Sequence, residues 1–378
     1  MDKVDIALCS LNKIFGFHPV AGRRLLKAVG SPYDLFDMDR GSLKAVSGGI
    51  LSKEELDRVF DETAEELEML SRQGSRFVGM DRLPELLLDC TDPPLGLYVK
   101  SSSPVEEIFG NRHFVAVVGT RDMSHYGQQW CRRLTKAAAQ ARERPTIVSG
   151  LALGVDITAH RTALECGAPT IAVLPTGLDR VYPWRHEAYA DEICAAPGSA
   201  LVSDYPPGTV PLKTNFLRRN RIIAGLSQAV LLVESKIHGG GMMTARLAHS
   251  YGRTVLALPG RADDLRSEGC LRLISDQVAE LVYSEKDLLH KLGFETPVQG
   301  PVSPRRSPEE IFAGRLPPED LGAISAIYGM VATGEGIGRD ELSSLSGLPA
   351  SRVQAMITLL ETEGLVQSDI LGRCSLVF

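Results

Sequence analysis

Between Thr209 and Ile223 the chain carries four basic residues, Lys213, Arg218, Arg219 and Arg221, and no acid, with Phe216 in their midst. A row of cations tracks a phosphate backbone, and an aromatic ring offers a face to an unstacked base, a contact worth roughly 1–3 kcal/mol. A paired base has no free face, so the pattern favours a single strand over a duplex. The competing reading is a surface helix whose arginines pair with nearby acids and whose Phe216 joins the core. Position favours the first reading, while both roles for Phe216, base stacking and core filling, stay open. The run follows the fourth of a series of short apolar segments, where a parallel sheet would present it at a crevice.

Glycine marks the ends of several of those segments. Gly119-Thr120-Arg121 follows Val117-Val118, and a glycine there lets backbone amides approach phosphate while the next helix adds its positive end. The spacing is not G-x-G-x-x-G, so no dinucleotide is expected. Ser149-Gly150 and Gly154 form a second close-approach loop, Gly239-Gly240-Gly241 precedes a helix through Thr244, and Leu258-Pro259-Gly260-Arg261 ends a further segment. The expected anion site is therefore Gly119, Thr120, Arg121, Ser149, Gly150, Gly154, Lys213, Asn215, Phe216, Arg219, Asn220, Arg221, Gly240 and Thr244. No catalytic residue, metal ligand or cofactor is expected. Asp156 and His160 share a helix face, which would suit acid–base work or metal ligation. No third ligand stands at the right spacing, and the simpler expectation is that Asp156 complements the helix dipole and bonds the neighbouring loop or His160.

Short apolar runs alternating with helical spacing must position these residues. Runs at 113–118, 146–148, 170–174, 200–203, 229–233, 254–258 and 279–283, separated by helical stretches, predict an α/β fold with a doubly wound, mostly parallel sheet. Phe77-Val78 and Leu97-Tyr98-Val99 could add strands. Residues 1–75 read as a small helical domain of the helix-hairpin-helix kind, with eight acids from Glu54 to Glu68 on a solvated face. Residues 76–292 are the core. The proline-rich stretch 293–316 is a linker. In 317–378, three helices and a hairpin predict a winged helix, with Ser351 capping the third helix.

A net charge of −6 looks unsuited to nucleic acid, but it hides a split. Residues 112–283 hold 20 Lys and Arg against 15 acids, a balance of +5. Residues 317–378 hold three Arg against eight acids, a balance of −5. The middle can meet phosphate and the tail repels it. Hydrophobic content of 44% is that of a globular protein, and no apolar run spans a bilayer. Seven scattered cysteines without a Cys-x-x-Cys pair, and no visible secretory leader, predict reduced thiols in a cytoplasmic protein.

Taken in order, these motifs resemble one family. Val117-Val118-Gly119-Thr120-Arg121, Val148-Ser149-Gly150-Leu151-Ala152, Leu174-Pro175-Thr176-Gly177-Leu178-Asp179 with Tyr182-Pro183, Phe216 with Arg219-Asn220-Arg221, and Thr244-Ala245 with Pro259-Gly260 are similar to the DNA-processing protein A family, DprA or Smf. The resemblance spans about 115–275. It implies an extended Rossmann-like core, a sterile-alpha-motif-like N-terminal domain and a C-terminal winged helix. It also implies single-stranded DNA binding, protection of incoming DNA in natural transformation, loading of RecA, a homodimer and no catalysis. Arg121, Lys213 and Phe216 stand where the family's strand-engaging residues stand. Departures from the pattern are Leu217 after Phe216, Gly240-Gly241-Met242-Met243 before Thr244, His186, Cys270 and Val278-Ala279.

Two rival readings have specific obstacles. A Rossmann-like phosphoribohydrolase needs a glutamate three residues after the Thr of its signature, where Thr244 is followed by Leu247. A winged-helix transcription regulator must bind duplex phosphate, which the −5 tail opposes. The winged helix is expected to contact protein, or the basic core itself, more than DNA.

Overall fold

The computed structural model describes residues 2–16, 19–295, 307–333, 337–369 and 372–376. The chain divides into two compact units, residues 1–298 and 299–378. In the first, nine strands form one sheet: β1 (Ser75–Gly79), β2 (Gly96–Lys100), β3 (Phe114–Val118), β4 (Thr146–Ser149), β5 (Thr170–Val173), β6 (Ala200–Ser203), β7 (Ala229–Leu232), β8 (Thr254–Ala257) and β9 (Glu280–Leu281). Their order is β1-β2-β6-β5-β4-β3-β7-β8-β9. From β6 to β9 all pairs are parallel, while β1 and β2 add an antiparallel edge, with Phe77 opposite Tyr98 and Val99 opposite Val202. The two early apolar pieces are thus strands of the same sheet.

Strands β3 to β7 are buried along their whole length. Helices cover both faces of the sheet, which explains why these strands read as continuous apolar runs rather than alternating ones. The chain builds outward from β3 through β4, β5 and β6, then crosses back through the helix Lys213–Leu226 to lay β7 on the other side of β3. The reversal between β3 and β7 opens a crevice at their C-terminal ends.

The helices of residues 1–75 do not close a core of their own. Leu8, Leu11, Leu35, Leu56 and Leu67 pack in one cluster with Phe77, Tyr98, Leu174 and Leu201 of the sheet side. Asn12 Nδ2 donates to the Asp204 carbonyl at 3.1 Å, beyond the end of β6.

In the second unit the helices Pro318–Thr333, Arg339–Ser346 and Ala350–Thr362 pack on a sheet of order β10-β12-β11, where β10 is Ile337–Gly338, β11 Val366–Ser368 and β12 Arg373–Leu376. This is a winged helix with one strand more than the sequence reading gave. Ile324, Ile327, Leu342, Val353, Ile357 and Leu360 form its core. The third helix starts at Ala350 behind Pro349, so Ser351 lies inside it and caps nothing. One part of the expected linker is ordered: Ser307 and Glu310 form a capping box on the helix Pro308–Phe312, whose Phe312 enters the same core. Residues 296–306 of that expected linker lie outside the described residues.

Candidate nucleic-acid interface

A cleft of about 780 Å³ lies at the β3–β7 switch point. The loop after β3 supplies Gly119, Thr120 and Arg121, the helix Lys213–Leu226 supplies Lys213, Phe216, Arg219 and Asn220, and the segment after β7 supplies Ser235 to Gly241 and Thr244. Nine of the fourteen expected residues meet here. The helix Gly240–Ser250 starts at the cleft with Gly239 in the cap position and no side-chain cap, so its first amides remain available to an anion.

Phe216 is half-buried and faces the cleft. The Arg121 guanidinium lies 5.0 Å from its ring centroid, and the Tyr182 ring meets it edge-on at 5.3 Å. An exposed arginine over an aromatic face keeps its donors free for phosphate while the ring fixes its position. Lys213 is exposed at the first position of its helix.

The loop bearing Arg121 is clamped from β7. The buried Glu234 carboxylate accepts from the Ser124 backbone N–H at 2.9 Å and its hydroxyl at 2.5 Å, and the Glu234 carbonyl accepts from the Thr120 N–H at 2.7 Å. Ser124 in turn caps the helix His125–Ala139, accepting from the Gly127 N–H at 3.0 Å. One acidic side chain thus orders the turn that aims the cation.

The cleft floor itself is a buried layer that includes Arg219 and Asp156. Arg219 Nη1 donates to the Val173 carbonyl at 3.0 Å, and among the described residues its Nε has no hydrogen-bond partner. Burial pulls its pKa down to about 10, with the Asp156 charge acting the other way. Burial likewise raises the Asp156 carboxyl, opposed by Arg219, and its Oδ2 accepts from the Ala152 N–H at 3.4 Å. Asp156 therefore bonds the preceding loop as expected, but not His160. That ring pairs with the Thr170 hydroxyl at 2.7 Å, and burial pushes its pKa down to about 3.

Five expected residues do not line the cleft. Ser149 is buried and donates to the Val117 carbonyl at 2.6 Å, tying β4 to β3. Gly150 makes room for Arg219: a Cβ there would overlap the guanidinium. Gly154 has φ +77°, and a Cβ would strike the Thr120 carbonyl, so it sets the approach of the two loops. Asn215 is buried and donates to the Val210 carbonyl at 3.3 Å. Arg221 needs the plainest correction. Its guanidinium turns away from the cleft, pairs with the buried Asp204 carboxylate and donates to the Asp92 carbonyl. Burial alone would lower its pKa, and the Asp204 and Asp92 charges more than restore it. Helical spacing accounts for the difference, since residues 216, 219 and 220 share the cleft-facing side while 221 lies round the back. The loop after β8 is also outside, with Arg261 paired to Asp263 at 3.0 Å.

The expected site lacked Glu234, Lys236 and Tyr182, the last of which entered only as part of a family motif. Lys236 stands just past β7 at the cleft, a place the strand-end argument already marked. Glu234 carried no local signal, because its partner Ser124 is 110 residues away.

The model of the DNA recombination-mediator protein A family matches residues 76–293, which is the sheet and the whole cleft. Protein Smf of Synechocystis is 34% identical over 306 residues, 76% of either chain. The DNA processing protein DprA of Streptococcus pneumoniae is 42% identical over 229 residues, 60% of this chain and 78% of the relative. The solved structure of the pneumococcal DNA processing protein A superposes with a TM-score of 0.65 at 30% identity, covering 78% of this chain and 99% of the other. A Helicobacter pylori DNA processing protein A, solved for its single-stranded DNA binding mode, gives 0.51 at 30% identity over 58% of this chain and 97% of the other. Sheet order, cleft and family match agree, and the chain belongs to the DNA recombination-mediator protein A family.

Proposed function

We propose that this chain binds single-stranded DNA in the β3–β7 cleft, with Arg121 and Lys213 on phosphates and Phe216 under a base. It acts as a non-enzymatic mediator that protects incoming DNA and passes it to RecA in transformation and recombination. The working form is a cytoplasmic homodimer. The observation that carries the reading is the Arg121–Phe216 pair at the mouth of a cleft floored by an uncapped helix start. The glycines at 119 and 240 and Thr244 line the same space, and Arg219 lends it positive potential from below. At the place of a phosphoribohydrolase glutamate, Leu247 packs against the sheet's core, which disfavours the enzymatic reading.

Binding of labelled single- and double-stranded oligonucleotides by wild type, Lys213→Ala and Phe216→Ala tests it. Losing the ring costs a stacking contact of about 1–3 kcal/mol, or about 5- to 150-fold in affinity. Undiminished single-strand binding by both variants rejects the site.

A further inference from the structure

The segment between β5 and the helix Glu187–Ala195 does not line the cleft, yet it meets a cleft residue in the Tyr182–Phe216 ring contact of 5.3 Å. It is tied to the rest of the fold by buried Leu178, which packs in the cluster with the N-terminal helices, and by the buried His186 ring, which bonds the Leu151 carbonyl at 2.8 Å. Within it, Thr176 Oγ1 donates to the Arg180 carbonyl at 2.9 Å. What this anchored loop displays is aromatic and cationic. Arg180, Tyr182, Trp184 and Arg185 are all exposed, Trp184 at 77%. A tryptophan held so far out of the core, on a loop that already buries Leu178, needs a reason outside the fold. Among the described residues neither Arg180 nor Arg185 has an ion pair. The neighbouring Asp179 carboxylate is engaged by the Gly208 N–H at 3.0 Å, and Glu187 stands in the first turn of the next helix.

We propose that Tyr182 and Trp184 form a second stacking platform that continues the DNA path beyond Phe216, with Arg180 and Arg185 on the phosphates. The inference rests on the reading of the cleft as a single-strand site. Arg121, Phe216 and Tyr182 already form a continuous edge-to-face and cation–π series, and Trp184 extends it by two residues of an anchored loop. Alternating rings and guanidinium groups suit unpaired bases in sequence-tolerant fashion, because every base has a π-face.

The chain holds two tryptophans, so Trp130→Phe leaves Trp184 as the sole indole reporter. Titrating this full-length variant with oligo-dT of 15 nucleotides quenches its fluorescence, whereas oligo-dT of four nucleotides, filling only the cleft, quenches it far less. In affinity measurements the wild type gains strongly from four to 15 nucleotides, and Trp184→Ala flattens that gain about tenfold, with Trp184→Phe restoring most of it. Arg180→Ala and Arg185→Ala each lower the salt slope for the long oligonucleotide by about 0.7. Strand binding with an unquenched Trp184 and an unchanged length gain overturns the platform, leaves the cleft reading standing, and reassigns the indole to a protein partner. A wild type that binds neither oligonucleotide overturns the cleft reading and the platform with it.

Discussion

The Arg219 guanidinium occupies the space that any side chain at position 150 would fill. Gly150 closes β4 without lining the cleft, yet it decides whether a cation can sit in the cleft floor, near Asp156. Gly150→Ala forces that buried charge out of place. Overpacking costs about 1–3 kcal/mol, and displacing a buried charge from its partners adds to it. We expect a loss of about 3 kcal/mol in denaturant unfolding and weaker oligonucleotide binding. Unchanged stability would show that Arg219 is not held there in solution.

Arg221 and Lys213, eight residues apart on one helix, should give opposite results. Arg221→Ala leaves the buried Asp204 carboxylate unpaired, which costs about 3–5 kcal/mol of stability. The salt dependence of DNA binding stays as it was. Lys213→Ala leaves the melting temperature within a degree or two and lowers the salt slope by about 0.7. A salt slope changed by Arg221→Ala and not by Lys213→Ala would reverse the assignment.

His160 gives the protein an acid sensitivity that comes first from burial and second from the nearby Arg219 charge. Folded, the ring stays neutral down to a pKa of about 3, while the unfolded chain takes up a proton below 6.5. The unfolded state therefore binds more protons in that window, and stability falls as pH drops from 6.5 toward 3, with a limiting slope of about 1.4 kcal/mol per pH unit. Buried Asp156, whose pKa is raised, acts the opposite way just above the ordinary carboxylate range. Comparing unfolding of wild type and His160→Gln from pH 7 to 4 isolates the His160 contribution; parallel pH profiles would refute it.

Glu234 orders the Arg121 turn without touching the cleft, so its loss should weaken binding without removing a charge contact. Glu234→Gln replaces one of the two acceptances from Ser124 with a donor. It costs about 1–3 kcal/mol in stability and lowers oligonucleotide affinity several-fold at an unchanged salt slope. A changed slope would mean that Glu234 acts on the strand directly.

Much of this architecture was legible from the chain alone. The continuous apolar runs from β3 to β8 announced a parallel sheet, because strands covered on both faces need no polar side. Gly119, Arg121, Lys213, Phe216 and Gly240 were marked by type and by their place after a strand. The family-specific motifs then ordered them. What remained illegible was orientation. Local sequence shows Arg219 and Arg221 as two arginines of one basic run, and only the packed helix sends one beneath the cleft and the other to Asp204. Glu234, Gly150 and Tyr182 likewise depend on partners 34 to 110 residues away, for which no local periodicity exists.

The sequence by itself determined which segments become strands and helices, that cations and glycines would gather at strand ends, and that the charge divides between the core and the tail. These follow from local spacing and composition. The tertiary structure alone decided which cations face solvent and which are spent on holding the fold. The reason is physical: a guanidinium can be satisfied equally well by a phosphate outside or a carboxylate inside, and only the surrounding side chains, brought together from distant strands, settle which of the two it meets.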